Sequence, residues 1–155
     1  MTWLARSGGG DSDFERVFAL RPELFEAWRE FASLFWTRGL VDPVVLELCR
    51  LRVAQMLGAA QPLALRTDEA RRAGLDEARI AKLDAWWTSD AFDDVERACL
   101  RFSEQFVLDP KEIADADADA VVAALGDAGM VAFVEALALF DGFARFCRFF
   151  DVESA

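Results

Sequence analysis

The spacing of apolar residues constrains this chain most, because it repeats at intervals of three and four between well-placed Pro and Gly residues. Apolar residues spaced in this way form one face of an α-helix, whereas a half-buried strand needs strict alternation. The sequence has no alternating run of β-branched residues long enough to predict a strand. We therefore predict a single all-α domain of about seven or eight helices.

Capping residues predict where these helices begin and end. Ser12-Asp13-Phe14-Glu15 has the form of a capping box, which opens a first short helix that ends near Leu20. Residues 1–11 contain three consecutive glycines and are predicted to be a flexible N-terminus, and residues 12–153 to form the domain. The same signals predict further helices over 22–38, 43–57, 62–73, 77–83, 93–108, 115–125 and 128–149.

Composition excludes several classes of function. Asp and Glu number 28 against 17 for Lys and Arg, and the net charge of −11 disfavours binding to nucleic acid or to anionic membranes. The sequence has no histidine, which excludes an imidazole base, a histidine metal ligand and a Ser-His-Asp triad. The three cysteines have no metal-ligand spacing and are predicted to be reduced core thiols. We expect neither a metal nor a cofactor.

Two features bear on location and assembly. The start of the chain has no apolar leader, and the apolar stretch Met130–Phe140 is too short and too charged for a membrane span, so a cytoplasmic protein is predicted. The last helix, Met130–Phe150, is apolar on nearly every side. We expect one part of it to lie in the core and another part to form a subunit interface, giving a dimer, trimer or hexamer.

The third helix combines charged and apolar residues in an unusual way. At about 100° per residue, Arg50 lies about 60° from Glu47 and Arg52 about 140° from it, so the three charges do not share one solvated face. At least one of them is therefore predicted to be buried. A buried Glu47 carboxylate must be paired, protonated or functional. An ion pair with Arg50 and a role in a site are both compatible with this pattern.

Short motifs in a fixed order carry a family resemblance. They are R-P-E-L-x-E-A-W (21–28), G-L-V-D-P-x-x-x-E-L-x-R-L-R-V-A-Q (39–55), A-R-R-A-G-L (70–75), R-A-C-L-R-F-S-E (97–104) and A-L-A-L-F-D-G-F-A-R-F (136–146). In this order they resemble the carboxymuconolactone decarboxylase and alkyl hydroperoxidase D (AhpD-like) superfamily over about residues 20–150. The resemblance implies an all-α fold, assembly into homo-oligomers, and an active site where a glutamate faces a C-x-x-C-x-x-x-H motif.

The motif itself is changed in this chain. Glu47 matches the family's glutamate, but Ala59 and Pro62 stand where the two cysteines are expected, and Arg66 where the histidine is expected. Alanine and proline supply neither a thiolate nor a disulfide, so thiol peroxidase activity is disfavoured. Cys49 points about 200° away from Glu47 on the same helix and does not replace them.

The residues that remain suit proton transfer. Glu47 is predicted to act as acid or base, Gln61 as a hydrogen-bond donor and Arg66 as a fixed cation. These roles predict a cofactor-free isomerase, lyase, decarboxylase or cyclase for a small hydrophobic or carboxylated metabolite. The alternative is a non-catalytic binding or assembly protein, in which Arg66 pairs with Glu69 and the aromatic residues pack in the core. The predicted substrate-binding residues are Trp28, Phe31, Phe35, Trp36 and Arg50.

Overall fold

The computed structural model describes residues 12–152, so the predicted flexible segment 1–11 and residue 153 lie outside the described residues. Within 12–152 the chain is helical and contains no strand, which confirms the all-α prediction. Two 3₁₀ helices, Leu83–Ala85 and Pro110–Glu112, lie between α-helices. The α-helices are α1 (Asp13–Phe18), α2 (Pro22–Thr37), α3 (Pro43–Leu57), α4 (Ala60–Ala64), α5 (Asp68–Arg72), α6 (Glu77–Ile80), α7 (Asp94–Leu108) and α8 (Asp115–Phe149).

Helix α3 lies at the centre of the fold. Asp42 caps its start, where the side chain accepts hydrogen bonds from the backbone N–H groups of Val44 at 2.8 Å and Val45 at 3.3 Å. Gly58 ends it in the left-handed conformation, at φ 60°, which glycine adopts without steric cost. Most of α3 is buried, and it packs against both α7 and α8. Residues in the middle of α3 are therefore placed in the interior.

One predicted helix is wrong. Residues 62–73 form two short helices, α4 and α5, and Leu65 and Thr67 between them have extended backbone conformations. The carbonyl groups of Pro62 and Leu65 accept hydrogen bonds from the Arg50 guanidinium, so contacts with α3 take the place of a continuous helix. Pro62 lies in the first turn of α4, where a missing N–H costs nothing.

Helix α8 is broken where the sequence predicts two helices. Gly126 has φ 71° and ψ 170°, far from helical values, and separates residues 115–125 from the long segment that follows. One face of that segment is buried against α3 and α7, including Phe133, Leu137 and Phe140. By length and composition alone the whole of α8, Asp115–Phe149, could cross a membrane, whereas the expectation from the sequence concerned the shorter stretch Met130–Phe140. A long helix in a protein core, with a second apolar face, can have the same length and apolar composition.

A smaller aromatic core joins α1 and α2 to the C-terminal part of α8. Phe14 contacts Phe143 edge-to-face, with ring centroids 5.1 Å apart, and Phe18 stacks on Phe146 at 4.6 Å. The capping box on Ser12 forms in both directions and fixes the start of α1. This second core is distinct from the main core around α3, and the two meet beside Trp28 and Phe140.

Candidate functional site

The Glu47 carboxylate forms a buried, two-bond ion pair with Arg50. Arg50 Nε donates to Glu47 Oε2 and Nη2 donates to Oε1, both at 2.8 Å. The side chains are almost fully buried, with 1% of Glu47 and 7% of Arg50 exposed. Arg52 instead bonds Glu104 on α7, so it points away from the pair formed by Glu47 and Arg50. This confirms the prediction that at least one of them is buried, and the structure contains the ion pair that the sequence allows.

The same pair holds the chain between α4 and α5 against α3. Arg50 donates to the carbonyl oxygens of Pro62 and Leu65, and the N–H of Thr67 donates to Glu47 Oε1 at 3.2 Å. Glu47 thus accepts three hydrogen bonds, and its charge is balanced by Arg50. A buried charged pair satisfied in this way positions the backbone of the segment that it bonds.

A cavity of about 210 Å³ lies beside this pair, between α2, α3 and α8. Its wall is mostly aromatic and aliphatic, and its polar lining residues are Arg50 and Thr67. Arg50 uses four of its five N–H groups on Glu47, Pro62 and Leu65, which leaves one for another acceptor. The lining residues are Phe14, Trp28, Ala32, Trp36, Arg50, Leu65, Thr67, Leu139, Phe140 and Phe143.

The hydroxyl group of Thr67 is buried and has no hydrogen-bond partner among residues 12–152. Buried hydroxyl groups in proteins almost always have a partner, so each exception needs an explanation. Thr67 lines the cavity, next to Arg50. The cavity therefore has an apolar body and a polar end, where the side chains of Arg50 and Thr67 lie.

Only part of the predicted set of site residues meets at this cavity. Trp28, Trp36 and Arg50 line it, and Glu47 lies behind Arg50 without lining it. Phe31 is 43% exposed and contacts Phe35 at a centroid distance of 5.3 Å. Phe35 belongs to the main core. These two aromatic residues lie on neighbouring positions of α2 that do not face the cavity.

Gln61 and Arg66 are directed elsewhere, so the proposed group of Glu47, Gln61 and Arg66 does not converge. Gln61 is buried, and its Oε1 lies 3.8 Å from the Cys147 sulfur on α8. Arg66 bonds both carboxylate oxygens of Glu77, at 2.8 and 3.0 Å. This hydrogen bonding raises the pKa of the Arg66 guanidinium, and the charge of Arg66 is balanced by Glu77.

The alternative pairing of Arg66 with Glu69 is also wrong, for a local reason. An i,i+3 pair needs both residues on one helix, whereas Arg66 lies in the extended break before α5. Its guanidinium bonds the carbonyls of Leu63 and Leu65 as well as Glu77. Arg66 therefore connects the segment between α4 and α5 to α6.

The three cysteines are free and buried, which confirms the prediction that they are core thiols. Burial raises the pKa of the Cys99 and Cys147 thiols to about 12, and burial together with nearby Cys99 raises that of Cys49 well above its ordinary value. Ala59, at the first cysteine position of the family motif, is buried beside Cys147 in a separate cavity of about 100 Å³. No cysteine is among the lining residues of the larger cavity.

Sequence reasoning missed much of the cavity wall. Phe14, Leu139, Phe140 and Phe143 come from α1 and α8, which are distant in sequence and show no sign of meeting. Thr67 had a recognisable signal, because a threonine followed by two acidic residues is typical of a helix start. That signal would have placed the break between α4 and α5.

Comparisons with known proteins support the resemblance. Residues 22–105 match the sequence profile of the carboxymuconolactone decarboxylase family. A stretch of 72 residues is 39% identical to the uncharacterized protein YdfG of Bacillus subtilis, over 46% of this chain and 49% of that protein, about half the length of each. ATU0492 of Agrobacterium tumefaciens, of unknown function and proposed to be the antioxidant defence protein AhpD, superposes with a TM-score of 0.78. It is 23% identical over 90% of this chain and 95% of that one, which shows the shared fold.

Proposed function

The chain belongs to the carboxymuconolactone decarboxylase family, and we propose that its cavity binds a small uncharged molecule with an apolar body and one hydrogen-bond acceptor. The observation that carries the proposal is the mostly apolar cavity itself, in which Arg50 and Thr67 are the polar lining residues. Ligand cavities commonly combine a largely apolar wall with a few polar groups that orient the ligand.

The size of the cavity limits the molecule. A cavity of about 150 Å³ accommodates benzene, so one of about 210 Å³ suits roughly eight to ten non-hydrogen atoms. Trp28, Trp36 and Phe140 offer flat surfaces that suit a ring. A monocyclic ketone, aldehyde, lactone or phenol has these dimensions.

The charge balance favours an uncharged ligand. Arg50 is already neutralised by Glu47, so a carboxylate in the cavity would be buried without a free counter-charge. An unpaired buried anion costs several kcal/mol, whereas a carbonyl oxygen needs only the available N–H and O–H donors. This narrows the sequence-based expectation of a hydrophobic or carboxylated metabolite to the uncharged class.

Binding of matched small probes tests the proposal. We expect acetophenone to bind about tenfold more tightly than ethylbenzene, because its carbonyl accepts hydrogen bonds from Arg50 and Thr67. Benzoate should bind more weakly than both. Titration followed by ligand-observed NMR and by tryptophan fluorescence, with Trp28 and Trp36 in the wall, measures all three affinities.

A conservative variant provides the control. Thr67→Val keeps the shape of the side chain and the backbone N–H that bonds Glu47, but removes the hydroxyl. The preference for acetophenone over ethylbenzene should shrink while ethylbenzene binding stays the same. Equal affinities of the wild-type protein for the two probes, or tighter binding of benzoate, would contradict the proposal.

The acid–base enzyme expected from the sequence requires Glu47 to exchange a proton with the bound molecule. Glu47 does not line the cavity, and its oxygens accept hydrogen bonds from Arg50 and Thr67. These contacts favour a role for Glu47 in positioning Arg50, and catalysis stays a prediction. Deuterium exchange into the methyl group of acetophenone, followed by NMR in D₂O, separates the two functions. We expect no exchange above the buffer rate, and protein-dependent exchange would favour the enzyme.

A further inference from the structure

A second apolar space adjoins the candidate cavity. It is a groove of about 250 Å³ between α1, α2 and the C-terminal part of α8, which we call the side groove. None of the described residues that line it carries a charge. Three side chains, those of Trp28, Leu139 and Phe143, line both the side groove and the cavity. The two spaces are therefore neighbours that share one wall.

The Trp28 indole lies between the two spaces. The centroid of its ring is 5.9 Å from that of Phe14, which lines the cavity but not the side groove. It is also 5.9 Å from that of Phe18, which lines the side groove but not the cavity. Phe143, which belongs to both walls, packs against the same indole at 5.0 Å. Aromatic rings thus extend without a break from one space to the other.

Helix α8 provides a second continuous apolar surface between them. At about 100° per residue, and counted from Ala138, Gly142 in the side groove lies at about 40° around the helix. The shared residues Leu139 and Phe143 follow at about 100° and 140°. Phe140, at about 200°, lines the cavity alone. A molecule that lies across this face of α8 can therefore occupy both spaces.

The side groove is open because two of its lining residues are small. Ala138 and Gly142 are exposed, and a Cβ atom added at Gly142 would meet nothing within 4 Å. Glycine within a helix is less favourable than alanine. At Gly142 the missing side chain leaves the groove unfilled, so that apolar wall remains accessible to a ligand.

We propose, on the basis of the function proposed above, that the side groove holds a hydrocarbon chain of the molecule whose ring and polar group lie in the cavity. The polar lining residues Arg50 and Thr67 belong to the cavity alone, so the carbonyl group lies there. The chain leaves the opposite side of the ring, passes over the half-buried indole of Trp28 and lies on Ala138 and Gly142. The ligand class is then an uncharged cyclic carbonyl compound or phenol that carries an alkyl chain.

The volume of the side groove limits the length of this chain. A cavity of about 150 Å³ accommodates the six carbons of benzene, so about 250 Å³ holds at most about ten carbons. Part of this volume is open to solvent, which shortens the chain that is well buried. We expect the best fit for chains of about four to six carbons.

A series of substituted acetophenones tests the proposal on the full-length protein. We expect 4′-butylacetophenone to bind at least about tenfold more tightly than acetophenone, because each buried methylene group raises the affinity about two- to fourfold. 2′-Butylacetophenone has the same composition but carries its chain beside the carbonyl group, and it should gain less than about threefold. Titration followed by tryptophan fluorescence measures the affinities. The methyl NMR signal of Ala138 should shift with 4′-butylacetophenone and not with acetophenone.

A variant that fills the side groove provides the second test. Gly142→Leu should reduce the ratio of the two affinities, 4′-butylacetophenone over acetophenone, to about twofold or less. Its circular dichroism and Tm should be preserved, since the space above Gly142 is empty. Ala128→Leu, at an exposed position of the same helix outside both spaces, should leave the ratio unchanged.

The outcomes separate this proposal from the proposed function. Equal gains for the 4′- and 2′-butyl compounds would overturn the side groove as the site of the chain, as would a ratio that Gly142→Leu does not lower. Tighter binding of acetophenone than of ethylbenzene, with no gain from the butyl chain, would overturn the side groove and leave the proposed function intact. The reverse result, a gain from the chain without a preference for the ketone, would contradict the polar end of the cavity and support the side groove.

Discussion

Replacement of Arg50 by methionine is expected to lower the free energy of unfolding by about 3–5 kcal/mol. The variant leaves the Glu47 carboxylate buried without a counter-charge and leaves the carbonyls of Pro62 and Leu65 without their donor. Urea denaturation followed by circular dichroism, at one fixed protein concentration, measures the change. The effect should be among the largest of any single substitution, because most substitutions cost much less.

Two further variants show whether the loss comes from the buried pair. Arg71→Met removes an exposed i,i+3 ion pair with Asp68, 4.0 Å apart, and should change stability by about 0.5 kcal/mol or less. Glu47→Leu combined with Arg50→Met removes both charges and should be more stable than Arg50→Met alone. A double variant no more stable than the single variant would show that the hydrogen bonds to the loop, and not the charge pair, carry the energy.

The second large effect is expected in the alkylation rates of the buried cysteine thiols. At neutral pH, Cys99 and Cys147 should react with iodoacetamide at least about a thousandfold more slowly in the folded protein than in the unfolded chain. A pKa of about 12 in place of 9.0 lowers the thiolate fraction by about that factor, and burial reduces access further. Mass spectrometry of alkylated peptides, with and without guanidinium chloride, gives the rate at each cysteine. Rapid labelling of any one in the folded protein would contradict the assignment.

The same ionisation makes stability depend on alkaline pH. The folded protein keeps these thiols protonated, whereas the unfolded chain ionises them above about pH 9, so stability should fall as pH rises from about 9 towards about 12. Cys99→Ala with Cys147→Ala should make this fall less steep.

Because the thiols stay buried and protonated at neutral pH, hydrogen peroxide should be consumed no faster with the protein than in buffer. A saturable rate would restore the peroxidase activity of the resemblance as a candidate function.

The sequence predicted the parts of the fold that depend on local interactions. Asp42, Gly58 and the capping box on Ser12 act within a few residues of their own position, so the bounds of α1 and α3 follow from them. The break at 65–67 depends on Arg50, which lies 15 residues from Leu65, and no local pattern contains that contact. Tertiary hydrogen bonds here override the helical preference of the segment.

In the candidate site, too, the sequence predicted the local interactions and missed those between distant elements. The burial of Glu47 and its pairing with Arg50 follow from their spacing on one apolar helix. Gln61 and Arg66 were assigned to the site because they lie near it in sequence, but their partners, Cys147 and Glu77, are on other elements. The cytoplasmic location expected from the sequence stays a prediction.

The candidate cavity lies between the two hydrophobic cores, and its wall contains residues of both. Phe14, Trp28 and Phe143 belong to the small aromatic core, and Trp36, Leu139 and Phe140 pack with the main one. A molecule in the cavity would therefore contact side chains of both cores and hold α1 and α2 against α8. Its affinity is then coupled to how often α1 and α2 detach from α8, and hydrogen exchange in those two helices would slow before exchange in α3 changes.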